Sequence, residues 1–226
     1  MNLKNLNNEQ KEAVTKIGGP ILIFAGAGSG KTRVLTHKIA YLIDEVGLPP
    51  ENILAVTFTN KAAQEMKTRV VELVSHDISG ISIGTFHSIS AQLLRKNISR
   101  IGYTNDFTIY DQQDSKAVVK QVIKELNLDL KQFDPKTYQI KISNAKNSLN
   151  MPDYYKDISE NFADKKFHQI YLRYQEMLKE NNSVDFDDLL ILPLKIFEEH
   201  NDCLDYYQKN FKYILVDEYQ DTNKPQ

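Results

Sequence analysis

A run of small residues that ends in Lys31 and Thr32 is the stretch of this sequence best suited to chemistry. Residues 21–33 read Ile-Leu-Ile-Phe-Ala-Gly-Ala-Gly-Ser-Gly-Lys-Thr-Arg. The glycines allow the backbone to curl so that successive N–H groups face one anion. A helix that begins near Gly30 would add the positive end of its dipole at the same point. The pattern therefore predicts a strand, a phosphate-binding loop and the first turn of a helix.

Lys31 and Thr32 supply the two side chains that such a loop needs to hold a nucleotide. The Lys31 ammonium can reach the β- and γ-phosphates, and the Thr32 hydroxyl can bind Mg²⁺. The usual pattern has glycine five residues before Gly30, where this sequence has Ala25. Alanine is still small enough for a tight exit from the strand, so we expect a nucleotide site. The alternative is a glycine-rich turn between an ordinary strand and helix.

Two carboxylates that follow a second apolar run complete this predicted site. Asp217 and Glu218 come directly after Tyr-Ile-Leu-Val at 213–216. At the end of a strand, Asp217 can hold the metal through water, and Glu218 can polarise the attacking water. Two acidic residues that merely end a strand are the alternative, which is weaker beside a phosphate-binding loop. The pair favours hydrolysis over passive binding of a nucleotide.

Strands that alternate with helices position these residues. Apolar runs predict strands at 21–24, 53–58, 81–85 and 213–218. Helical spacing and caps predict helices at 34–46, 61–75 and 86–100, and a short helix capped by Asn7 with Gln10 as its capping-box partner. This order, with the phosphate-binding loop, predicts an α/β P-loop fold with a parallel sheet flanked by helices.

Residues 104–183 break the alternation and predict a second part of the molecule. After a strand-like run at 107–110, helices are predicted at 112–126, 135–147 and 161–180. We therefore expect an α/β nucleotide-binding lobe formed by residues 1–103 and 184–226, and a mainly helical subdomain inserted at 104–183.

The composition predicts a soluble protein of the cytoplasm. The chain has 226 residues, a net charge of −2 and one cysteine, Cys203. A single cysteine forms no disulfide within the chain and fits a reducing compartment. Because the sequence has neither a long apolar run nor an apolar leader, we expect no membrane span and no signal peptide. The net charge of −2 does not indicate a basic surface for binding nucleic acid.

Segments 25–33 and 217–222 together closely resemble superfamily 1 DNA helicases of the UvrD, Rep and PcrA type. Further motifs of that family occur in its order at 6–10, 57–63, 84–88 and 185–190. The resemblance covers essentially the whole chain and implies that the α/β lobe is a P-loop NTPase domain of the RecA-like type. It implies an enzyme that hydrolyses ATP with Mg²⁺ to move 3′→5′ on single-stranded DNA and to act at single/double-strand junctions, in repair or replication.

The resemblance also extends the predicted nucleotide site. It implies that Gln10 reads the adenine edge and that Arg33 lies against the adenine. The expected nucleotide contacts are then Gln10, Ala27, Gly28, Ser29, Gly30, Lys31, Thr32 and Arg33. Mg²⁺ is expected at Thr32 and Asp217, and the expected catalytic residues are Glu218, Lys31 and Asp217. The alternative for Gln10 is the helix cap alone, and for Arg33 a solvated helix position.

A single-strand track is likewise implied by the resemblance. Its expected residues are Phe58, Thr59, Asn60, Phe86, His87, Ser88 and Phe186. A base stacked on such a ring gains about 1–3 kcal/mol without sequence preference, and the polar members can bind phosphates. Core packing is the alternative for each phenylalanine. Asp187 and Asp188 suggest a metal pair, but an acidic first helical turn is the simpler explanation.

The family pattern continues beyond Gln226, so we expect this chain to be the N-terminal part of a helicase. The resemblance implies missing C-terminal lobes that carry an arginine finger, and a missing strand between the two site-bearing strands. We therefore expect slow hydrolysis by the chain alone and unpaired backbone at the gap. The alternatives are the helicase portion of an AddA- or RecB-type helicase–nuclease, an ATP-switched DNA-binding module, and, less in keeping with the inserted helices, a P-loop kinase.

Overall fold

A computed structural model describes residues 3–26, 28–158 and 161–226. The chain divides into two compact units. The first comprises Met1–Ile89 with Asp205–Asp221, and the second comprises Ser90–Leu204 with Thr222–Gln226. The expectation that an insertion spans 104–183 stays a prediction.

The first unit is built on a three-stranded parallel sheet with the order β2–β1–β5. Its strands are β1 (Ile53–Thr57), β2 (Ser82–Thr85) and β5 (Tyr213–Val216). Leu54 is in register with Ser82 on one side and with Ile214 on the other. The predicted strands at 53–58, 81–85 and 213–218 and their parallel pairing are therefore confirmed.

The helices of the first unit are α1 (Asn8–Thr15), α2 (Lys31–Asp44), α3 (Asn60–Leu73) and the start of α4 (Phe86–Asn97). Side chains of α2 and α3 pack with those of the sheet, and α1 packs on α2. Asn7 and Gln10 form the predicted capping box at α1, and the Thr59 side chain caps α3. The core contains fully buried residues of α2, α3 and β1, among them Ile39, Leu42, Ile53 and Val70. The mixed α/β class with a parallel sheet and flanking helices is thus confirmed.

The predicted strand at 21–24 is wrong. Residues 21–26 have no strand structure, and the Phe24 side chain is 90% exposed. Apolar composition alone does not make a strand, because its N–H and C=O groups need a partner strand. Within the described residues, β5 pairs only with β1, and Ile214 of β5 is 62% exposed. The run 21–24 therefore has strand-like residues but no strand beside it.

The second unit is mainly helical. It contains α5 (Gln112–Glu125), α6 (Pro135–Asn147), α7 (Pro152–Ile158), α8 (Phe162–Glu180), α9 (Asp188–Glu199) and the start of α10 (Asn201–Asn210). A two-stranded parallel sheet joins β3 (Thr108–Ile109) to β4 (Ser183–Val184). The helices predicted at 112–126, 135–147 and 161–180 are confirmed. Of α9, only the acidic first turn was expected, and α7, α10 and β4 were not predicted.

The core of the second unit lies between α5, α6 and α8. It is formed by aliphatic and aromatic side chains that include Val119, Ile123, Ile142, Tyr171 and Tyr174. In the described part of the chain, no helix is long and apolar enough to cross a bilayer.

Candidate functional site

The loop before α2 contains two glycines with a backbone conformation that is common in anion-binding loops. Gly28 and Gly30 have φ values of 76° and 89°, in the left-handed region that favours glycine. Gly30 occupies the N-cap position of α2, where no side chain forms a capping hydrogen bond. The first N–H groups of α2 therefore have no side-chain acceptor and can bind an anion. Ser29 donates to the Gly26 carbonyl at 2.6 Å and stabilises the turn. Ala27 lies outside the described residues.

Lys31 lies close to the carboxylate at the end of β5. Its Nζ is 3.9 Å from Glu218 Oε1 and donates to the Ala25 carbonyl at 3.4 Å. Both the Lys31 and the Glu218 side chain are partly exposed, so a ligand can reach them. The structure therefore brings together two residues that are far apart in the sequence. Thr32 follows Lys31 in the first turn of α2, and Asp217 precedes Glu218.

Asp217 is buried where β5 ends, and its amide donates to the Val56 carbonyl at 2.9 Å. Burial raises the pKa of its carboxyl, Glu218 raises it further, and Lys31 partly opposes the shift. A bound cation would favour the ionised form for the same electrostatic reason. Throughout the described ranges, no three His, Cys, Asp or Glu side chains form a metal site. The Thr32 hydroxyl and the Asp217 carboxylate are oxygen ligands of the kind that Mg²⁺ binds together with phosphate and water.

Glu218 has a backbone conformation that costs energy. Its φ is 51°, in the left-handed region that is unfavourable for a residue with a β-carbon. Its Oε2 accepts a hydrogen bond from Gln220 Nε2 at 2.6 Å. Strained residues of this kind cluster at active sites, where the surrounding structure holds them in place.

Gln10 connects α1 to the predicted phosphate-binding loop. Its Nε2 donates to the Ser29 carbonyl at 2.9 Å, and its Oε1 accepts from the Asn7 amide at 3.0 Å. Both ends of the amide are therefore occupied, and adenine recognition would require it to exchange these partners. A cavity of about 250 Å³ lies beside it, lined in part by Gln10, Phe24 and Lys31. The Arg33 side chain is exposed.

Phe58 and Phe86 form an aromatic pair at the carboxyl ends of β1 and β2. Their ring centroids are 5.6 Å apart at an angle of 61°. Phe58 is 37% exposed, so part of its ring remains available for stacking. Thr59 uses its hydroxyl oxygen to accept from the Ala62 amide, whereas the Asn60 side chain is exposed.

Ser88 is engaged in the turn that joins β2 to α4. Its hydroxyl accepts from the Thr85 amide at 2.9 Å and donates to the Thr85 carbonyl at 3.0 Å. A Cβ at Gly84 would be 2.6 Å from this hydroxyl, which explains glycine at that position. His87 lies beside Ser88 in the first turn of α4, and both side chains are half-buried.

Phe186 belongs to the second unit, and its neighbours form a buried ion cluster that the sequence did not reveal. Lys146 Nζ is 2.6 Å from Asp185 Oδ2 and 2.7 Å from Asp188 Oδ1. Asp188 does lie in the first turn of α9, as expected, but its carboxylate binds Lys146. The only sequence signal was the pair of aspartates three residues apart, because Lys146 lies about 40 residues earlier on another helix.

A parallel sheet flanked by helices, with Lys31 at the start of α2 close to the carboxylate that follows β5, is the arrangement of a domain of the RecA-like class. Residues 6–226 match the family model described as the UvrD/REP helicase N-terminal domain, and the chain belongs to this family. It is 50% identical over 224 residues to the ATP-dependent DNA helicase PcrA of Staphylococcus epidermidis, and 49% identical to that of Staphylococcus aureus. Each alignment covers 99% of this chain and 31% of the relative, so the chain spans about a third of their length.

Proposed function

We propose that this chain is the N-terminal, nucleotide-binding part of an ATP-dependent DNA helicase or translocase. The observation that carries the proposal is the approach of Lys31 to Glu218, 3.9 Å, beside an α2 N-terminus without a side-chain cap. Membership of the UvrD/REP family supports it, and so do the relatives named as ATP-dependent DNA helicases.

The proposed nucleotide chemistry uses three kinds of group. N–H groups of the loop from Gly28 to Thr32, together with the Lys31 ammonium, bind the phosphates. Thr32 and Asp217 hold Mg²⁺, which supplies positive charge to the β- and γ-phosphates when bound. Glu218 accepts a proton from the attacking water. Lys31 leaves Glu218 for the phosphates when ATP binds, which frees the carboxylate for this role.

The site beyond these groups is proposed on the family resemblance and on exposure. Gln10 and Arg33 contact the adenine, with Ala27 and Ser29 completing the loop. Phe58, Phe86 and Phe186 stack on bases, and Thr59, Asn60, His87 and Ser88 bind the DNA backbone. Movement from 3′ to 5′, a junction substrate, a role in repair or replication and a cytoplasmic location belong to the same proposal.

The decisive experiment compares ATP hydrolysis by the full-length protein with and without single-stranded DNA, beside its Glu218→Gln variant. We expect DNA-stimulated hydrolysis that falls by about 10²–10⁴-fold in the variant, because a positioned general base contributes that much. ATP binding should be retained. The control is Glu72→Gln, on an exposed position of α3. Undiminished hydrolysis by the Glu218 variant would refute the catalytic role, and ATP binding without stimulated hydrolysis would favour an ATP-switched module.

A further inference from the structure

Phe186 is presented at the surface by a loop whose two ends are anchored in the core. Its ring is 56% exposed, whereas Asp185 and Asp188 are 6% and 0% exposed. The two aspartates cap each other: the Asp188 amide donates to Asp185 Oδ1 at 2.9 Å, and the Asp185 amide donates to Asp188 Oδ2 at 3.2 Å. This reciprocal pair closes a tight turn around Phe186.

Lys146 of α6 fixes that turn to the helical core. Its ammonium is completely buried and binds both aspartates, and Tyr174 donates to Asp185 Oδ2 at 2.8 Å. Buried charged groups with several strong partners have one well-defined geometry, because any displacement leaves a charge unpaired in a medium of low polarity. The turn is therefore held rigidly relative to α6.

The next residue of α6, Asn147, joins this turn to a second segment. Its Nδ2 donates to Asp187 Oδ1 at 2.9 Å, and its Oδ1 accepts from Asn223 Nδ2 at 2.6 Å. Asn223 is itself fixed, because it and Gln226 exchange two side chain–backbone hydrogen bonds of 3.1 and 3.2 Å. Asn223 follows Glu218 by five residues in the sequence. One amide thus contacts both the Phe186 turn and the chain just beyond the proposed catalytic base.

We propose that Asn147 is a positioning residue that ties the base-stacking turn at Phe186 to the segment after Glu218 and so couples single-stranded DNA binding to nucleotide binding. The coupling part rests on the function proposed above. The positioning part does not, because it concerns only the placement of residue 186. Reciprocity requires that DNA raise the affinity for nucleotide by the same factor by which nucleotide raises the affinity for DNA.

Residues 1–226 contain no tryptophan, so Phe186→Trp adds one fluorescent reporter, at the turn, to this part of the protein. In this background we would compare Asn147→Ala with the control Asn144→Ala, an exposed asparagine on the same helix. We expect the anisotropy of the reporter to fall in Asn147→Ala, because the turn loses one tether, and to stay unchanged in the control. Circular dichroism and thermal melts would establish that both variants are folded.

The second measurement is the coupling factor in the full-length protein. It is the ratio of the affinities for a non-hydrolysable ATP analogue with and without oligo(dT). Couplings between sites are commonly about 5–150-fold, and we expect Asn147→Ala to reduce the factor by about fivefold or more. The double variant Asn147→Asp/Asp187→Asn reverses donor and acceptor while keeping the acceptor for Asn223. We expect it to restore both the anisotropy and the coupling relative to Asn147→Asp alone.

The two measurements distinguish the positioning role of Asn147 from the proposed function of the chain. An anisotropy and a coupling factor that are unchanged in folded Asn147→Ala would overturn the positioning role, even if the protein binds ATP and DNA well. A protein that binds neither ligand, yet shows the lower anisotropy and its rescue, would sustain the positioning role and refute the proposed function. Loss of ATP and DNA affinity without rescue by the double variant would indicate a merely structural residue and count against the inference.

Discussion

Replacing Lys146 by methionine should be among the most destabilising substitutions in this protein. The Lys146 side chain is 0% exposed and pairs with two carboxylates, of which Asp188 is also 0% exposed. Methionine keeps most of the length of the side chain but leaves both acids buried without a cation. Breaking a buried ion pair in this way costs about 3–5 kcal/mol, which is a large part of the free energy of unfolding of a typical domain, about 5–15 kcal/mol.

The same cluster predicts how this loss depends on pH. Burial and the neighbouring Asp185 carboxylate raise the pKa of Asp188 to about 6, even though Lys146 opposes the shift. Lys146 lowers the pKa of Asp185 against the effect of burial. An acid whose pKa is higher in the folded state than in the unfolded state, where it is about 3.9, stabilises the fold when it is protonated. This stabilising free energy is fully present below the unfolded pKa and is lost as the pH rises through the pKa of the folded state. Without Lys146 the pKa of Asp188 rises further and the pKa of Asp185 loses the influence that lowers it. The variant should therefore become less stable as the pH increases.

The assay is urea denaturation of the wild type and Lys146→Met, followed by circular dichroism, at about pH 5 and about pH 8. We expect a deficit of about 3–5 kcal/mol at the higher pH and a smaller one at the lower pH. Lys146→Met/Asp188→Asn should recover much of the loss, because it restores the net charge of the cluster. A deficit below about 1 kcal/mol at the higher pH, or one that does not change with pH, would refute this account of the cluster.

Two further substitutions test the first unit. Gly84→Ala should destabilise the fold by about 1–3 kcal/mol, because the new Cβ would lie 2.6 Å from Ser88 Oγ. A denaturant titration measures this loss, and unaltered stability would show that the turn can relax. Phe58→Ala should weaken binding of oligo(dT) by the full-length protein by about 1–3 kcal/mol, measured by fluorescence anisotropy of a labelled oligonucleotide. The exposed Phe162→Ala serves as its control, and equal affinities of the two variants would argue against stacking on Phe58.

The capping and turn chemistry of this protein could be predicted from its sequence because those interactions are local. Asn7 with Gln10 and Thr59 with α3 form the caps that their spacing indicates. The left-handed glycines of the loop and the strand ends that carry Asp217 and Phe58 follow from the same short-range rules. The helix α9 was not predicted beyond its acidic first turn. Its residues 188–193 are buried all round, so they show no amphipathic period, and Pro193 interrupts the pattern.

The sequence by itself therefore determined the class of fold, the glycine-rich loop before α2 and the position of the acidic pair after β5. Each of these depends on residues that lie a few positions apart. Only the tertiary structure decided which distant groups meet. It placed Lys31 beside Glu218, joined Lys146 to Asp185 and Asp188, and left the apolar run 21–24 without a partner strand. Partners of this kind come from other elements of the fold, and the spacing of residues along one segment contains no information about them.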